Sequence, residues 1–218
     1  MKIKFICGDP AVAEHFPVVP AGKMRPEWYS KLRPWVGEPH QSYPTIKKCM
    51  PVLDLIQGGY IVPNPVEQQF NVVPRPDTGV QGFAREYPGG WTIQAPQEGH
   101  EHEQCPVTVH GTKRDYITFS VPWRIETPPG YSSLFLPPMN NPDDRFSIIP
   151  GIVDTDTFKL EVNFPFIVNG DKYPVLKTLI KRGTPIVQVI PFKRDRWKMN
   201  IENIPKEEKT TKKKKKNY

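Results

Sequence analysis

Alternation of apolar and polar positions is strongest across residues 157–168. Phe158, Leu160, Val162, Phe164 and Phe166 share one parity, while Lys159, Glu161 and Asn163 hold the other. That is the period-two signature of a strand with one buried face. The pattern predicts that Phe158 and Leu160 are buried beside Val162 and Phe164, and that Glu161 points away from the core. Pro165 near the end marks an edge or a bulge. Asn169-Gly170-Asp171 is a strong turn signal, after which residues 173–180 are expected to return as the hairpin partner. Gly183 then opens a last core strand over residues 185–192.

Upstream, KIKFIC alternates well enough for a first strand, which Gly8-Asp9-Pro10 ends. A proline-rich leader follows to Pro44, and within it PEWYSKL (26–32) predicts a short helix with proline in its first turn. Trp28, Leu32 and Trp35 would then gather as an apolar clamp on the core. Residues 49–62 read as two apolar runs around Gly58-Gly59, a hairpin or strand junction. Residues 63–104 are rich in Pro, Gly and Gln, with weak strands near residues 70–73 and 91–94.

The 27 prolines work against long helices, because each interior proline removes a backbone donor and clashes with the preceding turn. The expected fold is mostly β, a single-domain β-sandwich or β-clip-like barrel with short helical or irregular insertions. Residues 1–44 would form an extended leader packed on the core, 45–198 the β domain, and 199–218 a disordered basic tail. A chain of 218 residues can bury one substantial core.

The net charge of +7 changes meaning once it is located. From Lys193 onward there are eleven Lys/Arg against four Asp/Glu, so residues 1–192 carry nineteen of each sign. A neutral body exerts no general pull on phosphates, and the basicity belongs to the tail. Lys212, Lys213, Lys214, Lys215 and Lys216 form an unbroken run that offers non-specific contact to nucleic acid or an acidic surface, or serves only as a solubilising end. Three cysteines without CxxC spacing indicate neither a disulfide framework nor a zinc knuckle. No stretch has the length of a membrane span or a signal peptide, so the expectation is a soluble protein that makes no membrane contact.

Several motifs recur together in order. They are Thr127-Pro128-Pro129-Gly130-Tyr131 with Pro138 and Asn140, then Gly151-Ile152-Val153-Asp154-Thr155-Asp156 leading to Asn163, then Gly183-Thr184-Pro185 with Ile190-Pro191 and Arg194. Over about two thirds of the chain this resembles an uncharacterised domain family of tailed phages and bacteria, to whose CLPL-to-GW element the stretch from Cys49 to Tyr60 is similar. Thr157-Phe158 stands where that family has Trp. The resemblance implies a compact mostly-β domain of phage-like origin, located in the host cytoplasm or associated with the virion, and it brings no activity with it.

Ser132-Ser133, Gly151-Ile152-Val153-Asp154 and Gly183 with Gln188 are also similar, more faintly, to the elements of trimeric dUTPases and dCTP deaminases. That likeness implies Asp154 as the general base orienting water, with Ser132, Ser133 and Gln188 holding phosphates. Asp154 and Asp156 together could hold a divalent metal with a nucleotide phosphate. The pattern is incomplete here: Tyr131 stands where those enzymes place an arginine, the first AGxDL-like motif is missing, and there is no glycine-rich closing arm. A shared strand-and-turn grammar is the plainer account of the echo.

His100 and His102 share a face in an extended chain, as a metal pair requires, with His110 nearby. Pro106 and Val107 occupy the place where a cupin needs its glutamate, so the bland reading is a polar loop with incidental histidines. No P-loop or G-x-S-x-G elbow occurs. The functional expectation is a non-catalytic phage accessory or binding protein. A virion-associated structural protein and a dUTPase-like nucleotide-processing enzyme are the alternatives, and homo-oligomerisation is left open.

Overall fold

The computed structural model describes residues 1–38, 40–74, 81–86, 99–100, 116–169, 172–173 and 175–203. In chain order, β1 (Lys4–Ile6), α1 (Pro10–His15), β2 (Val19–Pro20) and α2 (Glu27–Lys31) come first. A ribbon of β3 (Trp35–Glu38) and β4 (Gln41–Pro44) leads to α3 (Met50–Gln57) and β5 (Tyr60–Pro63). Then follow β6 (Gln68–Pro74), β7 (Gln81–Glu86), β8 (Gly99–His100), β9 (Tyr116–Glu126) and β10 (Tyr131–Leu136). The last elements are β11 (Phe146–Ile148), β12 (Gly151–Val153), β13 (Glu161–Val168), β14 (Leu176–Ile180) and β15 (Pro185–Lys193).

Two sheets make the sandwich. One has the order β1-β9-β13-β11, with β8 also on β9, and the other runs β12-β10-β15-β5-β2. The described ladders are antiparallel, and no sheet closes into a barrel. The mostly-β expectation therefore holds, as the sandwich. Phe119, Trp123, Val162, Phe164 and Phe166 from the first sheet meet Val62, Phe135, Val187 and Val189 from the second in one buried cluster. Phe135 and Phe164 bridge the two layers with ring centroids 5.1 Å apart, while Phe119 and Phe146 stack on Phe166 within the first. The third sheet, β14-β6-β7, adds Leu176 and Ile180 to that core.

The N-terminal segment is stitched into this framework at β1 and β2, while the β3-β4 ribbon pairs only with itself. β1 pairs β9 and β2 pairs β5, so the N-terminal segment reaches both sheets. Asp9 caps α1 by accepting the N–H groups of Ala11 and Val12. The helix expected over 26–32 forms as α2, but its anchor is Tyr29, 2 % exposed, whereas Trp28 and Trp35 lie at the surface. Trp28 still pins the segment by donating its indole N–H to the Asn140 carbonyl at 2.8 Å.

Three local expectations change. The apolar run before Gly58 folds as α3, which Pro51 suits because a proline in the first turn gives up no intrahelical hydrogen bond. Gly59 then makes the junction to β5: its φ is +70°, and a Cβ there would sit 2.0 Å from the Val189 carbonyl oxygen. The strand expected from 157 begins only at Glu161, so Phe158 and Leu160 are exposed while Val162, Phe164 and Phe166 are buried as expected. β14 pairs with β6 rather than returning on β13.

Pro165 lies inside a sheet without a broken ladder. Its carbonyl accepts the Ile149 N–H at 2.9 Å, so its nitrogen faces the same side, just past the end of β11. The register shift lies earlier in the same ladder, where the two-residue step from Glu161 to Asn163 on β13 faces the four-residue step from Arg124 to Ser120 on β9, so the extra residues belong to β9.

Candidate functional site

Pro128-Pro129-Gly130-Tyr131 forms the turn between β9 and β10. The Tyr131 N–H reaches the Pro128 carbonyl at 3.2 Å and Gly130 has φ +85°, which is a type II turn with proline and glycine at the positions that favour it. β10 lies between β12 and β15, with Ser133 opposite both Val153 and Pro191 and Tyr131 opposite Lys193. This register brings the residues after β12 and after β15 to the same end of the sheet.

Asp154, Thr155 and Asp156 follow β12 in a tight turn. The Thr155 N–H bonds the Val153 carbonyl, while the Thr157 and Phe158 N–H groups both go to the Asp154 carbonyl. Asp154 accepts the Ser132 hydroxyl at 2.6 Å. Asp156 accepts the Gly130 N–H at 2.8 Å. Behind them, the Thr155 hydroxyl contacts the hydroxyls of Thr127 at 2.8 Å and Ser133 at 3.0 Å, and Thr127 donates to the Tyr131 carbonyl. Ser132, Ser133 and Thr155 are fully buried, so this hydroxyl chain satisfies polar groups that would be costly to leave alone.

Arg194 closes the cluster. Its backbone N–H donates to the Gly130 carbonyl at 2.9 Å. Its guanidinium donates to Asp156 through both terminal nitrogens, in the bidentate manner that makes arginine–carboxylate pairs strong. It also lies 2.9 Å from the Asp154 carboxylate and donates to the Ser132 hydroxyl at 3.0 Å. Asp156 is 6 % exposed at its side chain and Asp154 58 %.

The electrostatics follow from these contacts. The Arg194 guanidinium first, and the Gly130 N–H second, hold the Asp156 carboxyl down to about 2. The Ser132 hydroxyl, then Arg194, hold Asp154 below the ordinary carboxylate range, and hydrogen bonding to Asp156 raises Arg194. Both carboxylates are thus poor proton acceptors at neutral pH. A divalent cation approaching them would compete with a guanidinium already in place.

Of the residues singled out in the sequence, Ser132, Asp154 and Asp156 come together here, with Ser133 in the buried layer behind. Gln188 does not join them. It lies opposite Leu136 in the register, whereas Ser132 is opposite Phe192, a separation of about 13 Å along the sheet. Its amide is also spent: Nε2 donates to the Leu55 and Gly58 carbonyls and Oε1 accepts the Met139 N–H. The His100 side chain, His102 and the lysines from Lys212 to Lys216 lie outside the described residues. Among the described residues, no three His, Cys, Asp or Glu side chains are grouped to hold a metal, and no helix is long and apolar enough to cross a membrane. Two clefts open away from the cluster, one of about 540 Å³ bordered by Cys7, Arg124 and Glu161, the other of about 630 Å³ bordered by Val12, Phe16 and Arg182.

Arg194 is the residue that sequence reasoning left without a role. The signal was its place in the motif that ends Ile190-Pro191-x-x-Arg194, but only the pairing of β10 with β15 shows what it touches.

No family model matches the chain, and neither does any curated protein. Among solved structures it is similar to a dUTPase mutant from phage phi11 of S. aureus, at 9 % identity over 94 % of this chain and 97 % of that one, with a TM-score of 0.38. It is also similar to a mutant dUTPase of Staphylococcus bacteriophage 80alpha, at 10 % identity over 93 % of this chain and 88 % of that one, with a TM-score of 0.37. Likeness of this degree assigns no chemistry to the cluster around Arg194.

Proposed function

We propose that this chain is a non-catalytic, phage-type accessory protein that works by binding, and that the cluster around Arg194 is a structural clasp. The observation that carries the reading is the engagement of Arg194 with Asp156, Asp154 and Ser132 at once. A hydrolase needs a carboxylate free to take a proton from water and a cation free to take a phosphate. Here each supplies the other's partner. Attraction to polyanions comes instead from the lysine run at the C-terminus, since residues 1–192 carry no net charge.

A nucleotide-processing reading draws on one specific observation, the contact of Ser132 with Asp154 beside an arginine. It requires Arg194 to give up Asp156 when a phosphate arrives. Incubating the protein with dUTP, dCTP and the other nucleoside triphosphates, with and without Mg²⁺, separates the two. The binding reading expects no turnover by wild type or by Asp154→Asn. Turnover by wild type that is lost in Asp154→Asn at unchanged melting temperature would establish the enzyme instead.

A further inference from the structure

Beyond Arg194 the chain runs on over 195–203 with no helix, strand or turn assigned, and its residue pattern is that of a strand with one buried face. Trp197, Met199 and Ile201 share one parity and are 90 %, 88 % and 79 % exposed. Arg196, Lys198, Asn200 and Glu202 take the other. Among the described residues, no backbone group bonds to the backbone of 195–203. Large apolar side chains at alternate positions are the pattern that half-burial selects, yet here they stand largely exposed.

Among the described residues, the same chain carries a strand edge of matching character that pairs with no other strand. β12 is an outer strand of its sheet, and Ile152 on it is 63 % exposed. Ile152 stands opposite Leu134, and Leu134 opposite Ile190, so an apolar row crosses three strands on the outer face and, among the described strands, stops at β12. Leu134 and Ile190 are half-buried. Another strand laid on β12 with its apolar parity on that face would continue the row and extend the ladder beyond the described strands.

We propose that residues 195–203 form a docking strand that pairs with the β12 edge of a second copy of this chain. Reach argues against its own edge. β12 and β15 both run antiparallel to β10, so the segment leaves β15 at the end of the sheet where β12 also ends, with Arg194 fixed to Gly130 and Asp156. To lie outside its own β12 it must cross three strand spacings, about 14 Å, which uses about four residues at about 3.3 Å each. That crossing takes Trp197 out of the paired region and demands a reversal. A second copy meets neither constraint. This assembly is independent of whether the clasp is catalytic.

Sedimentation velocity of the full chain over a concentration series tests it. Wild type should associate reversibly, and the donor variant Trp197→Lys/Met199→Lys and the acceptor variant Ile152→Arg should each be monomeric with unchanged circular dichroism. Both variants change exposed side chains, so neither should unfold the body. Mixed together they should associate again, because one supplies an intact strand and the other an intact edge. A wild type that stays monomeric overturns the proposal. So does an oligomer that survives either variant, or a mixture that stays monomeric.

Discussion

Arg194 and Asp156 lie 38 residues apart in sequence, yet Nη1 of the one donates to Oδ1 of the other at 2.9 Å. The pair ties the end of β15 to the turn after β12 across the intervening β10, and Asp156 carries the tie on to Gly130 in the turn before β10. Three chain segments that meet only at one end of a sheet are thereby held by a single guanidinium. Charge-assisted bonds, rather than apolar burial, secure that exposed end.

A pH dependence follows from the depressed Asp156 carboxyl. A carboxylate whose folded value lies below its unfolded value stabilises the fold in full above the unfolded value and loses that contribution as pH falls through the folded one. With Asp156 at about 2 in the folded protein and about 3.9 when unfolded, the loss should run from about pH 4 down to about pH 2. The melting temperature of Asp156→Asn should fall below that of wild type near neutrality, and the gap should close through that window. A gap of constant size would mean that Asp156 acts by shape and not by charge.

The two ends of the 157–168 pattern should behave oppositely when truncated. Phe164 is 3 % exposed and packs on Phe135, so Phe164→Ala should cost about 3–5 kcal/mol from lost burial and a residual cavity. Leu160 is 68 % exposed, and Leu160→Ala should change stability by no more than about 0.5 kcal/mol. Urea denaturation of the two variants checks both, and equal losses would place the start of β13 before Glu161 after all.

That contrast shows what the sequence could reveal. Alternation identified the buried half of β13 because Val162, Phe164 and Phe166 obey it, but Phe158 and Leu160 keep the same parity in a loop whose Phe158 N–H is taken by Asp154. Periodicity is a local signal and cannot see that competing bond. Pairing is less local still: the Tyr173 N–H bonds the Asn169 carbonyl just after β13, yet β14 continues to β6 because strand partners are chosen by burial in the whole sheet. Ser132, Asp154 and Asp156 were legible as polar residues in strong turn motifs. Arg194 was legible only as a motif member, since its role exists only once β10 and β15 are side by side.

Gln188 should prove a stability residue. Its amide serves three backbone groups, on Leu55, Gly58 and Met139, from a position 1 % exposed. Gln188→Leu takes the amide from the Gly58 carbonyl and the Met139 N–H, while the Leu55 carbonyl keeps the Gly58 N–H at 3.3 Å, and should cost about 1–3 kcal/mol. Thermal unfolding measures it, and a Gln188→Leu protein as stable as wild type would show that water replaces the amide.

Gly59 should tolerate no side chain. Its φ of +70° and the 2.0 Å that would separate an added Cβ from the Val189 carbonyl oxygen act together, so Gly59→Ala should cost more than about 2 kcal/mol, beyond the usual penalty for a left-handed alanine. Gly130 has φ +85° but open space around it, and Gly130→Ala should cost only the conformational part, about 1 kcal/mol. Chemical denaturation of the two should rank Gly59→Ala clearly below Gly130→Ala.

The lysine run should account for any binding to nucleic acid. Residues 206–218 hold seven lysines and two glutamates, so deleting them removes most of the net charge and leaves the described sandwich intact. The melting temperature should not change, while filter binding to duplex DNA at low salt should vanish. For the full chain, each phosphate contact contributes about −0.9 to the slope of log affinity against log salt, so five engaged lysines give a slope of about −4 to −5. Retention of DNA by the truncated protein with a comparable slope would move the site onto the neutral body, where a local patch and not the net charge would have to carry it.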